Sequence, residues 1–466
     1  MTASRKFDLL CIGSGPAGQR AAVQAAKLGR KVAVIEKRRI VGGVCVDTGT
    51  IPSKTFREAI LSLMPSMDLR VARQGFLEES VPTMEQLMAR VGLIVQKESE
   101  VVESQLRRNG ISVVHGSARF ISDHSTIVND LNQECLIEAD HILIAVGTIP
   151  APPPGKNPDG EWLVDSDGIL QIKQIPRTMA VIGSGVIGIE YASMFSALGT
   201  EVTVIDKRER PLEFLDYEII DELIHQMRNK NVVFRLGEAV EHFEVSSGTP
   251  RKVVIHLESG KRHVSDVALF SVGRLGATES LNLEAAGLAA DIRGRLRVNE
   301  QFRTKVPHIF AAGDVIGHPG LAATSAEQGR LAACHAFGVD TESKLSHLPI
   351  GIYAIPEISM VGETERELTN LKVPYEVGMA RYREIARGAI LGDDSGLLKL
   401  LFHRYDQKLL GVHAIGTGAT ELIHIGQAVM GTGGGLSYFL NTVFNYPTLA
   451  ECYKVAAYDA YNKLTQ

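Results

Sequence analysis

The stretch DLLCIGSGPAGQRAAVQAAKLGRKVAVIEKR runs from Asp8 to Arg38, and its pattern returns 170 positions later as TMAVIGSGVIGIEYASMFSALGTEVTVIDKR, from Thr178 to Arg208. Gly13, Gly15 and Gly18 match Gly183, Gly185 and Gly188, Gly29 matches Gly199, and the closing acid Glu36 matches Asp206. Each copy reads as strand, tight turn, helix and second strand. The apolar runs LLCI and MAVI predict buried parallel strands. The first glycine turns the chain into a helix, the second lets a pyrophosphate approach the backbone at the positive helix end, and the third permits close helix packing. KVAVIE and EVTVID predict second strands, each ending on a carboxylate able to accept hydrogen bonds from ribose hydroxyls. A single GxGxxG is a weak signal, whereas two complete units in register predict two dinucleotide sites.

A chain of 466 residues exceeds what one hydrophobic core supports, so several domains are expected. Hydrophobic content of 45% with 22% charged residues is ordinary globular usage, and a net charge of -5 offers no basic footprint for nucleic acid. No apolar run approaches membrane-spanning length, and MTASRKFDLL reaches its first strand without room for a signal peptide. A cytoplasmic protein with neither nucleic-acid nor membrane partners is therefore expected. The five cysteines, Cys11, Cys45, Cys135, Cys334 and Cys452, form neither a disulfide framework nor paired zinc-ligand spacings, so no metal is expected.

Between the repeats, IPAPPPGKNPDG at 149–160 cannot continue a helix or a central strand and predicts a crossing linker. HILIAVG at 141–147 and DVALFSVG at 266–273 predict matching exit strands from two related domains. HIFAAGDVIG at 308–317 predicts a strand presenting Asp314 at a turn, where the acid either holds a sugar chain or caps the helix that follows. After about Leu348, LLKLLFHR and KLLGVHAIG around YDQ predict a hairpin, with the amphipathic helix ATELIHIGQAVM beyond it. GTGGGLS at 431–437 reads as a connection, and Cys452, His403, His413 and His424 as packing positions. The expected fold is α/β, with two Rossmann-like dinucleotide-binding domains plus a C-terminal α+β domain. Its parts are 1–150 and 276–345, forming one dinucleotide domain, 151–275, forming the other, and 346–466.

The segments VGGVCVDTGTIPSK at 41–54, AAGD at 311–314 and FNYPTLAECYKVAA at 444–457 join the two repeats in a wider pattern. Over nearly its whole length the chain resembles the pyridine nucleotide-disulfide oxidoreductases, the family of lipoamide dehydrogenase and glutathione reductase. That resemblance implies FAD held by Gly13, Gly15, Gly18, Glu36 and Asp314, and NAD or NADP held by Gly183, Gly185, Gly188 and Asp206. It also implies a homodimer, or a higher homo-oligomer, formed through the last domain.

Two departures from the family pattern bear on the chemistry. The family's redox pair is Cys, four residues, Cys, but Cys45 is followed at that spacing by Thr50. A thiolate attacking a disulfide needs a neighbouring sulfur to resolve the mixed disulfide, and threonine cannot serve. The family's terminal HPTxxE box has Tyr446 in the histidine position and keeps only Glu451. Tyrosine titrates near 10, about three units above neutrality, and is a poor proton shuttle.

What remains by resemblance is machinery for moving hydride through a flavin. Lys54 is expected beneath the isoalloxazine with Glu190 as its partner, and Cys45 against the flavin face as a packing residue or a charge-transfer thiolate. Cys then Thr, IPSK, GIYAIPEIS, HIGQAVM and FNYPTLAE together resemble a branch of the family that exchanges hydride between nicotinamide nucleotides. The expected reaction is transfer from NADPH to NAD through bound FAD. Lys207, Arg208 and Arg210 follow Asp206 and either offset its repulsion of a 2′-phosphate or form a solvated face. Two alternatives stay open: an NAD(P)H-dependent flavoprotein that reduces a quinone or oxygen, and a non-catalytic redox-sensing flavoprotein.

Overall fold

The computed structural model describes residues 5–63, 82–130, 133–248, 250–341 and 345–464. The first repeat builds the centre of a sheet in which Ser112–His115, Val32–Glu36, Arg5–Ile12 and Gln133–Ile144 lie side by side and parallel. Ile309–Ala311 joins parallel along the carboxyl end of Gln133–Ile144, and Ser125–Asp130 runs antiparallel along its other half. Alternation with period two divides the apolar side chains between two faces. Leu9, Cys11, Val32 and Val34 pack with alanines of the helices Pro16–Lys27 and Ala322–Ala336. Leu10, Ile12, Ala33 and Ile35 pack on the opposite side with Phe120, Leu281 and Leu296. The two helices meet closely, since a Cβ on Gly329 would lie 2.0 Å from the Ala17 carbonyl oxygen.

The second repeat forms a five-stranded parallel sheet in the order Val233–Leu236, Glu201–Asp206, Thr178–Ile182, Val267–Phe270, Leu163–Asp165. Its central pairing matches that of the first repeat, with Met179 opposite Val202 as Leu9 is opposite Val32. One face is covered by the antiparallel strands Val240–Val245, Val253–Leu257 and Arg262–Ser265, and the other by the helices Val186–Ala197 and Tyr217–Asn229. Val186–Ala197 is apolar on nearly every side because it is covered twice. Its inner face meets the sheet, and its outer face meets Thr50–Leu63 of the first unit, with the Phe56 and Phe195 rings 5.8 Å apart.

The C-terminal part is a five-stranded antiparallel sheet ordered Ile350–Ile352, Ile358–Gly362, Leu409–Ile415, Leu397–His403, Tyr375–Arg381. It carries the helices Ala419–Gly431 and Glu451–Leu464 and includes the expected hairpin. Lys399, fully buried in this sheet, reaches Asp216 at 2.9 Å and also pairs with Glu218 and Glu365, tying the C-terminal part to the second unit. Opposite it in the ladder, buried His413 meets the Glu363 carbonyl oxygen through Nε2 at 2.9 Å. His403 pairs with Asp406 and His424 with Gln427, each at 2.8 Å. The crossing segment differs in one respect from its sequence reading. Thr148–Pro150 pairs antiparallel with Arg274–Gly276, so irregular chain begins only at Ala151. A two-stranded ribbon has free edges, where proline's missing N–H costs no ladder bond. Among the described residues no helix is long and apolar enough to cross a membrane.

Candidate active site

Both glycine turns have the geometry their sequences predict. Gly13 and Gly183 adopt φ of +109° and +101°, a region open mainly to glycine. A Cβ on Gly18 would lie 1.9 Å from the Gly13 carbonyl oxygen, and one on Gly188 would lie 1.9 Å from that of Gly183. Each following helix is capped by a glycine, Gly15 or Gly185, with no side-chain cap, so its first amides point outward and remain available to an anion. The closing acids lock both turns alike. Glu36 Oε2 accepts Ser14 N at 3.1 Å and Ser14 Oγ at 2.5 Å, while Oε1 accepts Arg38 N at 2.7 Å. Asp206 Oδ2 accepts Ser184 N at 2.5 Å and Ser184 Oγ at 2.8 Å, while Oδ1 accepts Arg208 N at 2.9 Å.

Arg208 adds its side chain to the second site, donating from Nη2 to Asp206 Oδ2 at 2.6 Å and from Nε to both oxygens at 3.2 Å. Burial pushes the Asp206 carboxyl up, but the bonds from Arg208 and Ser184 outweigh it and hold the group at about 2. The guanidinium lies beside the turn, with Nη2 3.9 Å from where a Gly185 Cβ would stand.

Lys54 Nζ donates to Glu190 at 2.7 and 2.9 Å. The pair joins two helices from different units. Glu190 is 4% exposed and Lys54 25%, so the ammonium keeps an open side while its counter-ion does not. Cys45 lies in Gly43–Asp47, and Thr50 starts the next helix, Thr50–Leu63. Burial pushes its thiol up; the neighbouring Thr50 opposes this, the Asp314 charge adds to it and the Lys54 charge opposes it, with a net upward shift. All five cysteines are free, and burial pushes the Cys452 thiol up to about 12.

Sequence patterns of both repeat units and the C-terminal part match family profiles. The pyridine nucleotide-disulphide oxidoreductase profile covers residues 7–329, and the dimerisation-domain profile of the same family covers 348–457. This chain belongs to the pyridine nucleotide-disulphide oxidoreductases. Within that family it is 51% identical to the soluble pyridine nucleotide transhydrogenase of Mycobacterium bovis, over 99% of this chain and 98% of the relative. It is 44% identical to the protein of that name from Photobacterium profundum, over the full length of both. Among solved structures, LpdA of Mycobacterium tuberculosis superposes with a TM-score of 0.89 at 26% identity, covering 97% of this chain and 99% of that one. The flavoprotein disulfide reductase RclA of Escherichia coli superposes at 0.86 and 27% identity, with the same coverage.

A pyridine nucleotide-disulphide oxidoreductase implies a flavin and a nicotinamide nucleotide, and the residues present fit both. Open space faces Gly15, where a phosphate would approach. Asp314 is half-buried, with a Ser325 hydroxyl at 3.3 Å; burial pushes its carboxyl up, opposed by that bond and by the Arg274 charge. Thr48 Oγ1, between Cys45 and Thr50, is buried without a partner. In this oxidoreductase Tyr446 is 74% exposed, and Glu451 Oε2 accepts the Thr448 amide at 3.4 Å. Neither belongs to the Lys54 cluster. Sequence reading missed Ser14 and Ser184, whose place inside GSG in both repeats was the available signal. It also missed Tyr353, whose amide donates to Glu190 Oε1 at 2.8 Å.

Proposed function

We propose that the chain binds FAD in its first dinucleotide unit and NAD(H) or NADP(H) in its second, and transfers hydride reversibly from NADPH to NAD without a redox disulfide. The observation that carries this reading is that Thr50, a hydroxyl, stands at the second-sulfur position after Cys45, four residues before the Lys54 that pairs with Glu190. Thiol chemistry lacks its second sulfur there, while the charge suited to a flavin is held in place. The name shared by the relatives at 51% and 44% identity supports the same exchange.

Bound FAD would supply the two-electron relay between the nicotinamides. The chain's residues supply binding and charge. Free amides at the start of Pro16–Lys27 receive the pyrophosphate, Glu36 the adenosine ribose and Asp314 the sugar chain. Lys54 holds a positive charge at the reacting end, and Glu190 keeps it there. In the second unit Asp206 accepts the ribose hydroxyls of NAD, and Arg208, turning from Asp206, receives the 2′-phosphate of NADP. Tyr446 and Glu451 have no proton to move, because hydride exchange needs no thiol. Residues 1–150 with 276–345 form the flavin unit, 151–275 the nicotinamide unit, and 346–466 pair two copies as a homodimer in the cytoplasm.

The test uses purified holoprotein without oxygen, given NADPH and a thio analogue of NAD, then a quinone in place of the analogue. Rapid formation of the reduced analogue is expected. Turnover with the quinone alone would overturn the reading.

A further inference from the structure

GIYAIPEIS at 351–359 has no role in the scheme above, yet it is strapped across the two helices that carry Lys54 and Glu190. The Tyr353 amide donates to Glu190 Oε1 at 2.8 Å and the Ile355 amide to Ser193 Oγ at 3.0 Å, which fastens the strap to Val186–Ala197. Arg57 Nε donates to the Ala354 carbonyl oxygen at 2.9 Å, which fastens it to Thr50–Leu63. The Tyr353 ring centroid lies 5.0 Å from Lys54 Nζ, within the range where an aromatic face attracts an ammonium. The far side of the ring lies by Thr420, both flanking Gly351. Thr420 Oγ1 donates to Glu357 at 2.8 Å, and Glu357 pairs with Arg57 at 3.1 Å, which leads back to the helix of Lys54.

A lysine stem is flexible, so its charge stays in one place only if the surroundings remove the alternatives. Glu190 is buried and spends its acceptor sites on Lys54 and the Tyr353 amide. We propose that Tyr353 is a positioning residue: its amide orients the Glu190 carboxylate and its ring holds the Lys54 ammonium, so the C-terminal part of the chain sets the charge presented to the flavin. This rests on the reading in which Lys54 faces the flavin, and the two can fail separately.

The flavin midpoint potential of the holoprotein, measured by equilibration with a reference dye, reads that charge without turnover. Tyr353→Leu keeps the amide and removes the ring face. It should change the reduction equilibrium about two- to fivefold, a downward shift of up to roughly 20 mV for two electrons. Tyr353→Phe should restore the wild-type potential. Lys54→Met should lower the potential by itself, and adding Tyr353→Leu to it should produce no further shift. A wild-type potential in Lys54→Met would overturn the reading of Lys54 and this proposal with it. A lowered potential in Lys54→Met beside an unchanged one in Tyr353→Leu would overturn the proposal alone, as would additive shifts in the double variant or equal shifts from Phe and Leu. If Tyr353→Leu does not retain flavin, Tyr353→Met, similar in volume and without a ring, takes its place under the same outcomes.

Discussion

Arg38 and Arg208 stand at the same place in the two repeats, two residues beyond the closing acid, and each amide bonds that acid. Their guanidinium groups part company. Arg208 folds back onto Asp206 and stays 36% exposed beside the glycine turn. Arg38 turns away from Glu36 to Asp47 at 2.5 Å and Asp167 at 3.4 Å, and Asp167 in turn takes Arg274 at 2.8 Å. The first arginine thereby becomes part of a clasp between Gly43–Asp47 and the second unit. The second stays within its own repeat, beside the glycine turn. Closely similar local sequence, VIEKR and VIDKR, yields an arginine clasped between units in one repeat and one folded onto its own closing acid in the other, because Asp47 and Asp167 lie within reach of Arg38.

The largest effect should come from filling the turns. Gly18→Val, which meets the Gly13 carbonyl oxygen, should yield protein that purifies colourless, without retained flavin. Gly188→Val should stay yellow and lose nicotinamide binding, seen as failure of NADPH to bleach the flavin. If both variants lost flavin alike, the division of labour between the units would be broken.

Next comes the arginine pair. Arg208→Met should weaken NADP binding about tenfold, the scale of one charge-assisted hydrogen bond, with NAD binding little changed, as titration calorimetry would measure. Arg38→Met should leave the ratio of the two affinities unchanged and lower Tm by about 2–4 °C, as expected for roughly 1 kcal/mol in a domain of this size. A shifted ratio in Arg38→Met would erase the distinction.

Asp206→Asn should have the smallest effect, improving catalytic efficiency with NADPH relative to NADH by about fivefold through relief of repulsion. Its pH signature sharpens the comparison. The Asp206 carboxyl sits at about 2, below its ordinary 3.8. Its stabilising contribution is therefore full above the unfolded value and is lost as pH falls through the folded one. The Tm gap between wild type and Asp206→Asn should be constant at neutral pH and close progressively below about pH 4. A gap that persisted in acid would mean that the charge of Asp206 is not what stabilises the turn.

Much of the fold was legible in the residues. Leu9 to Ile12 and Met179 to Ile182 announce buried parallel strands, and the glycines announce the turns, because hydrophobic period and φ preference belong to contiguous residues. Resemblance supplied the pairing of Lys54 with Glu190, 136 positions apart. It could not supply Tyr353, 163 positions from Glu190, since the contact is made by a backbone amide that every residue type except proline provides.

By itself the sequence determined two dinucleotide units in common register, an α+β C-terminal part, and a redox position with one sulfur and one hydroxyl. Only the tertiary structure decided where each charge goes: Arg38 into a clasp, Arg208 onto its own acid, Lys399 buried among three carboxylates, and Tyr353 over Lys54. The physical reason is range. Strands, helices and turns follow from interactions within a few residues, whereas the partner of a long charged side chain is whichever group folding brings within a few ångströms.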